Sequence, residues 1–81
     1  MSAPDVVQYQ DPKSILVVTK TGKVRQLFVP FTVRCSTPVE GIPENTRLYV
    51  DLVLKHKRYL LLYWINQKPY PYYYFRIEHS F

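Results

Sequence analysis

RYLLLYWINQKPYPYYYFRIEHSF, residues 58–81, is the stretch whose reading decides the fold. Its first run, residues 59–65, is apolar or aromatic at every position, and its second, residues 72–77, opens with Tyr72, Tyr73, Tyr74 and Phe75. Such residues fit the pleated, half-buried surface of a sheet, whereas Pro69 and Pro71 inside a helix would remove backbone donors and clash with the preceding turn. The stretch therefore reads as one β-hairpin broken at the prolines. A tight turn centred on Gln67 and Lys68 sets Ile65 against Tyr70, Tyr63 against Tyr72, Leu61 against Tyr74 and Tyr59 against Arg76. Leu60, Leu62 and Trp64 then share one face, and Tyr59, Leu61, Tyr63 and Ile65 the other. A strand apolar on both faces is either central and covered twice or presents one face to a partner, and the first reading, a place at the centre of a small barrel, is preferred. A β-prone, uncharged window of this kind also favours aggregation, and flanking Lys, Arg and Pro act as gatekeepers.

Upstream of that hairpin, Leu48, Val50, Leu52 and Leu54 alternate with Arg47, Tyr49, Asp51, Val53 and Lys55, predicting one strand with one buried face. Residues 37–46, TPVEGIPENT, form the longest loop, a composition that lies at the surface and often carries contacts. Before it, Phe31, Val33 and Cys35 alternate with Thr32, Arg34 and Ser36, and Pro30 predicts a bend into that strand. Residues 14–20 and 23–29 are β-branched-rich runs about a two-residue Thr21-Gly22 turn. That register groups Ile15, Val17 and Thr19 with Phe28, Gln26 and Val24, and Leu16, Val18 and Lys20 with Leu27, Arg25 and Lys23. Residues 1–13 read as an N-terminal arm or edge strand, and 14–81 as a single β-barrel domain.

Eighty-one residues suit one domain that buries roughly 60 to 65 % of its unfolded surface. At 47 % hydrophobic and 16 % aromatic, the chain carries enough apolar area to offset ordering entropy, which disordered segments do not. Cys35 stands alone, ruling out an internal disulfide and fitting a reducing compartment. The first residues show no leader pattern, and the longest apolar run is too short to span a bilayer as a helix, so a soluble, cytoplasmic protein is expected. A net charge of +5 and a pI near 9.5 favour nucleic acid or an acidic partner.

A strand ending in Cys35, a Gly/Pro loop, Arg47-Leu48-Tyr49-Val50, a turn, the residues 59–66 and a closing Tyr74-Phe75 together resemble small Src-homology-3-like barrels of uncharacterised bacterial and phage proteins. The resemblance covers roughly the last half of the chain and implies an all-β, antiparallel barrel or strongly twisted meander of five to six strands. The acidic-aromatic opening motif of the eukaryotic peptide-binding members is absent, so proline-peptide recognition is not implied.

Catalysis needs a nucleophile with a nearby base and a group that orients the base. Cys35, His56 and His79 fall in a strand, a basic turn and the tail with no local signature, and zinc sites need at least three recognisably spaced ligands. With Gly22 and Gly41 the only glycines, there is no phosphate-cradling loop. No enzymatic activity, metal, cofactor or small-molecule substrate is expected. Asp51 and Glu78 read as ion-pair partners of basic neighbours.

Macromolecular binding remains. Tyr and Arg are frequent interface anchors, so a protein partner or a second copy is expected on Tyr70, Tyr72, Tyr74, Arg76 and the loop around Ile42, or along an edge strand after Pro71. The alternative is single-stranded DNA or RNA, with Lys20, Lys23, Arg25, Lys55, Lys57 and Arg58 supplying charge and Tyr72 and Tyr74 stacking on bases at about 1 to 3 kcal/mol each.

Overall fold

The computed structural model describes residues 6–78. They form nine strands: β1 (Val6–Asp11), β2 (Ser14–Val18), β3 (Val24–Phe28), β4 (Phe31–Cys35), β5 (Arg47–Val50), β6 (Leu52–His56), β7 (Leu60–Ile65), β8 (Lys68–Pro71) and β9 (Phe75–Ile77). One 3-10 turn, Tyr72–Tyr74, separates the last two, and there is no α-helix among the described residues. The strands make three antiparallel sheets ordered β1-β2-β3, β5-β4-β9 and β6-β7-β8. The all-β class is as expected. The closed barrel of five to six strands is not: the described residues form three small sheets and nine strands, because long extended stretches are cut at corners.

Two corners decide the layout. At Val29 and Pro30 the chain leaves the first sheet for the second, the bend expected of a proline that cannot donate to a ladder. At Asp51 it passes from the second sheet to the third, and the Asp51 N–H donates to the Trp64 carbonyl at 2.9 Å. The alternation changes phase there. Val50 and Val53 are fully buried while Leu48, Leu52 and Leu54 are half-buried, so the single strand with one leucine face expected over 47–55 is instead two strands serving two sheets.

Both hairpin registers differ from the sequence reading, with different consequences. In β7-β8 the turn residues are Asn66 and Gln67, both at positive φ (51° and 65°), the left-handed geometry of a two-residue turn that matches strand twist. Ile65 therefore opposes Lys68 and Tyr63 opposes Tyr70, two positions from expectation, and an even shift leaves every side chain on its face. In β2-β3 the loop holds three residues, 20–22. Gly22 donates to the Thr19 carbonyl at 2.9 Å and lies at φ 83°, while Thr19 donates to the Lys23 carbonyl at 2.8 Å. The extra residue turns β3 over, so Leu27 is buried and Phe28 and Val24 are exposed, the reverse of the predicted faces.

One core joins the sheets. Ile15, Val17 and Leu27 come from the first, Phe31, Val33, Cys35, Val50, Phe75 and Ile77 from the second, and Val53, Leu61, Tyr63, Ile65 and Tyr70 from the third. Tyr63, 1 % exposed, meets the Phe31 ring edge-on at 5.5 Å, Phe75 at 6.1 Å and Tyr72 at 6.4 Å. The β1-β2 turn is tied to the third sheet by the Val53 N–H, which donates to the Pro12 carbonyl at 2.8 Å.

Tyr63→Ala removes the ring shared by two sheets and is expected to lower unfolding free energy by about 3 to 5 kcal/mol in urea titration. Gln67→Gly relieves a side chain held in the left-handed region, and a gain of about 0.5 to 1 kcal/mol is expected by the same measurement.

Candidate functional site

The aromatic end of the molecule is built by two backbone departures from strand geometry. After Pro71 (φ −57°) the chain turns into the 3-10 turn Tyr72–Tyr74, closed by the Phe75 N–H donating to the Tyr72 carbonyl. With three residues per turn, consecutive side chains fan out at about 120° to one another. Tyr72 accordingly reaches inward to Tyr63, Tyr73 outward to Tyr59 at 6.4 Å, and Tyr74 onto a groove. The expected continuous strand over 72–77, with Tyr72 and Tyr74 on one exposed face, is corrected accordingly: only Phe75–Ile77 is strand, and it pairs with β4 rather than with β7.

The second departure is at Leu60, whose φ of 69° is left-handed and whose neighbours are joined by a Leu61 N–H to Tyr59 carbonyl bond of 2.8 Å. A bulky residue in that region costs about 1 to 3 kcal/mol and persists only where its surroundings fix it. Here His56 does so, its Nδ1 accepting from the Arg58 N–H at 3.1 Å and the Tyr59 N–H at 3.2 Å. The turn frees Tyr59 from the expected alternation of the strand, sets its ring 5.0 Å from the His56 ring, and places the Arg58 guanidinium 5.7 Å from the Tyr59 centroid.

These rings border an open groove of about 420 Å³. Tyr59, Tyr70, Tyr74, Pro69 and Pro71 line it from the third sheet and the tyrosine turn, and Thr37, Pro38, Val39 and Glu40 from the long loop. That loop is an internal miniature hairpin: Val39 and Ile42 exchange backbone bonds, and Glu40 and Gly41 at its tip both have positive φ. Its root is anchored by the Ser36 N–H on the Tyr74 carbonyl at 2.8 Å and by the Cys35 thiol donating to the Thr37 carbonyl at 2.6 Å. The Tyr73 hydroxyl titrates above the ordinary tyrosine range through desolvation first, then through Tyr74 and Tyr59 nearby.

The residues expected to form one protein-binding patch are dispersed. Tyr70 is 6 % exposed and presents only part of its ring to the groove; Tyr72 is half-buried on the core. Tyr74 lines the groove, while Tyr73 is the ring at the surface, 52 % exposed. Ile42 packs on the core behind the loop, and Arg76 belongs to the outer face of the second sheet. Tyr59, Val39, Glu40 and the three prolines were not expected to act together. Their local signal was the pair of prolines on either side of Tyr70, but their meeting depends on long-range packing.

The stretch after Pro71 does supply an edge strand, β9, which pairs with β4 and ends the order β5-β4-β9; the edge just before it, β8, is blunted. A two-residue turn makes Ile65 and Lys68 a hydrogen-bonded pair, and such pairs alternate along the ladder. Lys68 and Tyr70 therefore face β7, and Pro69 and Pro71, which have no N–H, occupy the outward positions of edge strand β8.

The six cations of the nucleic-acid alternative divide between two turns. Lys20, Lys23 and Arg25 are exposed at the β2-β3 end of the first sheet, and Lys55, Lys57 and Arg58 at the β6-β7 end of the third, where Arg58 alone meets a ring of the cluster. Cys35 is buried, the His56 Nδ1 is engaged by backbone, and His79 lies outside the described residues. Among the described residues no three His, Cys, Asp or Glu side chains gather as a metal site, and no helix is long and apolar enough to cross a membrane.

A second charged face lies on β5-β4-β9. The register sets Arg47, Arg34 and Arg76 side by side across three strands, and Tyr49, Thr32 and Glu78 in the adjacent row. Glu78 Oε2 accepts from Arg34 Nε at 2.8 Å and Oε1 from Arg47 Nε at 3.4 Å. Glu78 is thus the acidic partner expected of it. Asp51 forms no ion pair among the described residues, because the corner uses its backbone and leaves its side chain exposed. The hydrogen bond from Arg34 holds the Glu78 carboxyl below the usual glutamate range, aided by Arg47, and raises the Arg34 guanidinium in turn.

Comparison with protein families, curated proteins and solved structures finds no match to this chain.

Because the folded-state value of Glu78 is depressed, its contribution to stability is present above the unfolded glutamate pKa of about 4.3 and is lost as pH falls through its own lower value. Thermal melting is expected to place Glu78→Gln below the parent at neutral pH, with the gap closing as pH falls through that window.

Proposed function

We propose that the chain is a non-enzymatic interaction module that holds an extended segment of a protein partner in the groove between the 37–40 loop and the tyrosine cluster. The observation that carries this reading is the assembly of Tyr59, Tyr70 and Tyr74 with Pro38, Pro69 and Pro71 around one open groove from three separate stretches of chain. Tyrosine and proline offer large contact area with little side-chain entropy to lose, and such rings suit a ligand with an apolar body and polar backbone. Glu40 is the one charged side chain on the groove wall, which favours a partner segment carrying a Lys or Arg.

The alternative of single-stranded nucleic acid on the basic turns has less support, since three of its six cations lie on the first sheet and the other three on the third. The likeness to Src-homology-3-like barrels rests on the order of strand and loop patterns in the second half of the sequence and carries no weight in this reading.

Selection from a displayed library of random peptides, followed by calorimetry on the peptides recovered, tests the proposal. Tyr74→Ala and Tyr59→Ala are each expected to weaken binding at least about tenfold, the scale of a lost aromatic anchor. Affinity should change little with salt, because a desolvated ring contact is poorly screened. Failure to enrich any sequence, or enriched peptides indifferent to both variants while the fold is retained by circular dichroism, overturns it.

A further inference from the structure

The outer face of the second sheet contains a cluster that the groove does not use. Arg47, Arg34 and Arg76 oppose one another directly across β5, β4 and β9. Like charges in directly opposed cross-strand positions destabilise a sheet. Glu78 is the only carboxylate paired with them among the described residues, and it engages the Nε atoms of Arg34 and Arg47. Arg76 has a single long contact, Nη2 to Asn45 Oδ1 at 3.4 Å. Three guanidiniums against one carboxylate leave two positive charges on a row about 10 Å wide, given the usual strand spacing. Tyr49 stands in the next row, about 7 Å along β5 from Arg47, and the residue is 60 % exposed.

We infer that this face binds single-stranded nucleic acid, with Arg47 and Arg76 on successive phosphates and Tyr49 as a stacking ring. Guanidinium groups match phosphate oxygens in a fixed fork, and the terminal nitrogens of Arg47 are left for a ligand by an ion pair made through Nε. A row of this width suits a repeating anion better than the single dianion of a phosphorylated peptide, and an exposed ring beside it supplies the sequence-tolerant stacking on which single-strand binding relies. The chain's net charge of +5 has the sign required. The site is independent of the groove reading, so either can fail alone.

Fluorescence anisotropy of the full chain with a labelled oligodeoxythymidine of about 20 nucleotides tests the inference, at salt between about 50 and 200 mM. Arg47→Ala/Arg76→Ala is expected to weaken binding at least tenfold at the lower salt. It should also reduce the slope of log affinity against log salt by about 1.4, the sum for two single-strand phosphate contacts. Tyr49→Ala should weaken binding roughly fivefold or more, and should leave an abasic oligomer of the same length unaffected. Arg76→Ala alone, which breaks one long contact, serves if the double variant does not fold, with a slope change of about 0.7. Absence of binding at the lower salt, unchanged affinity in the arginine variants, or tighter binding of a phosphorylated peptide than of the oligomer overturns it.

Discussion

The contact on which the rest of this molecule depends is the Tyr63 ring among Phe31, Tyr72 and Phe75. Sheets of three short strands are marginal by themselves, because each buries too little apolar area to offset the ordering of its backbone. Here three such sheets contribute their inner faces to one core, and Tyr63, with Tyr70 beside it against Phe75, carries the ring contacts by which the third sheet meets the second. The same burial raises its phenol well above the ordinary tyrosine range, because the charged form would lose its hydration there. The corners at Pro30 and Asp51 follow from the same requirement. A chain that feeds two sheets must change direction and phase, or one of its valines would point to solvent.

The groove depends on the same packing at one remove. Tyr72 is held against Tyr63, and the narrow pitch of the 3-10 turn then directs Tyr73 outward and Tyr74 into the groove. Leu60 and its left-handed backbone do the equivalent for Tyr59, with His56 accepting the two N–H groups that the turn leaves without strand partners. In both places the surface is shaped by local backbone geometry that only a fixed neighbour makes tolerable. The prolines of β8 serve twice. They line the groove, and they remove donors from the outward positions of an edge that follows the most aggregation-prone window of the chain.

Much of the fold could be read from residue order. The alternation Phe31, Val33, Cys35 matches their burial, the bend at Pro30 lies where a proline must interrupt a ladder, and the 37–46 stretch is the long loop. The β7 strand carries its buried residues Leu61, Tyr63 and Ile65 on the expected face, even though its hairpin turn lies one position earlier and its partners are shifted by two. The exchanged faces of β3 have their physical origin in loop length. One unexpected residue in the Thr19–Lys23 turn exchanged Leu27 for Phe28 in the core, since strand faces repeat every second residue. The candidate site was less legible. Of the tyrosines named from sequence, Tyr74 and part of Tyr70 line the groove, and Tyr59 was assigned to a strand interior.

By itself the sequence determined the all-β class, the positions of most strands and the aromatic wall, because β-branched and aromatic runs separated by Pro and Gly leave extended backbone as the economical way to bury them. Tertiary structure alone decided that the strands form three sheets about one core, that three consecutive tyrosines point three ways, and that Arg34, Arg47 and Arg76 meet in a row. Those outcomes rest on which distant segments share hydrogen bonds and buried area, a property of the whole packed chain that no local pattern encodes.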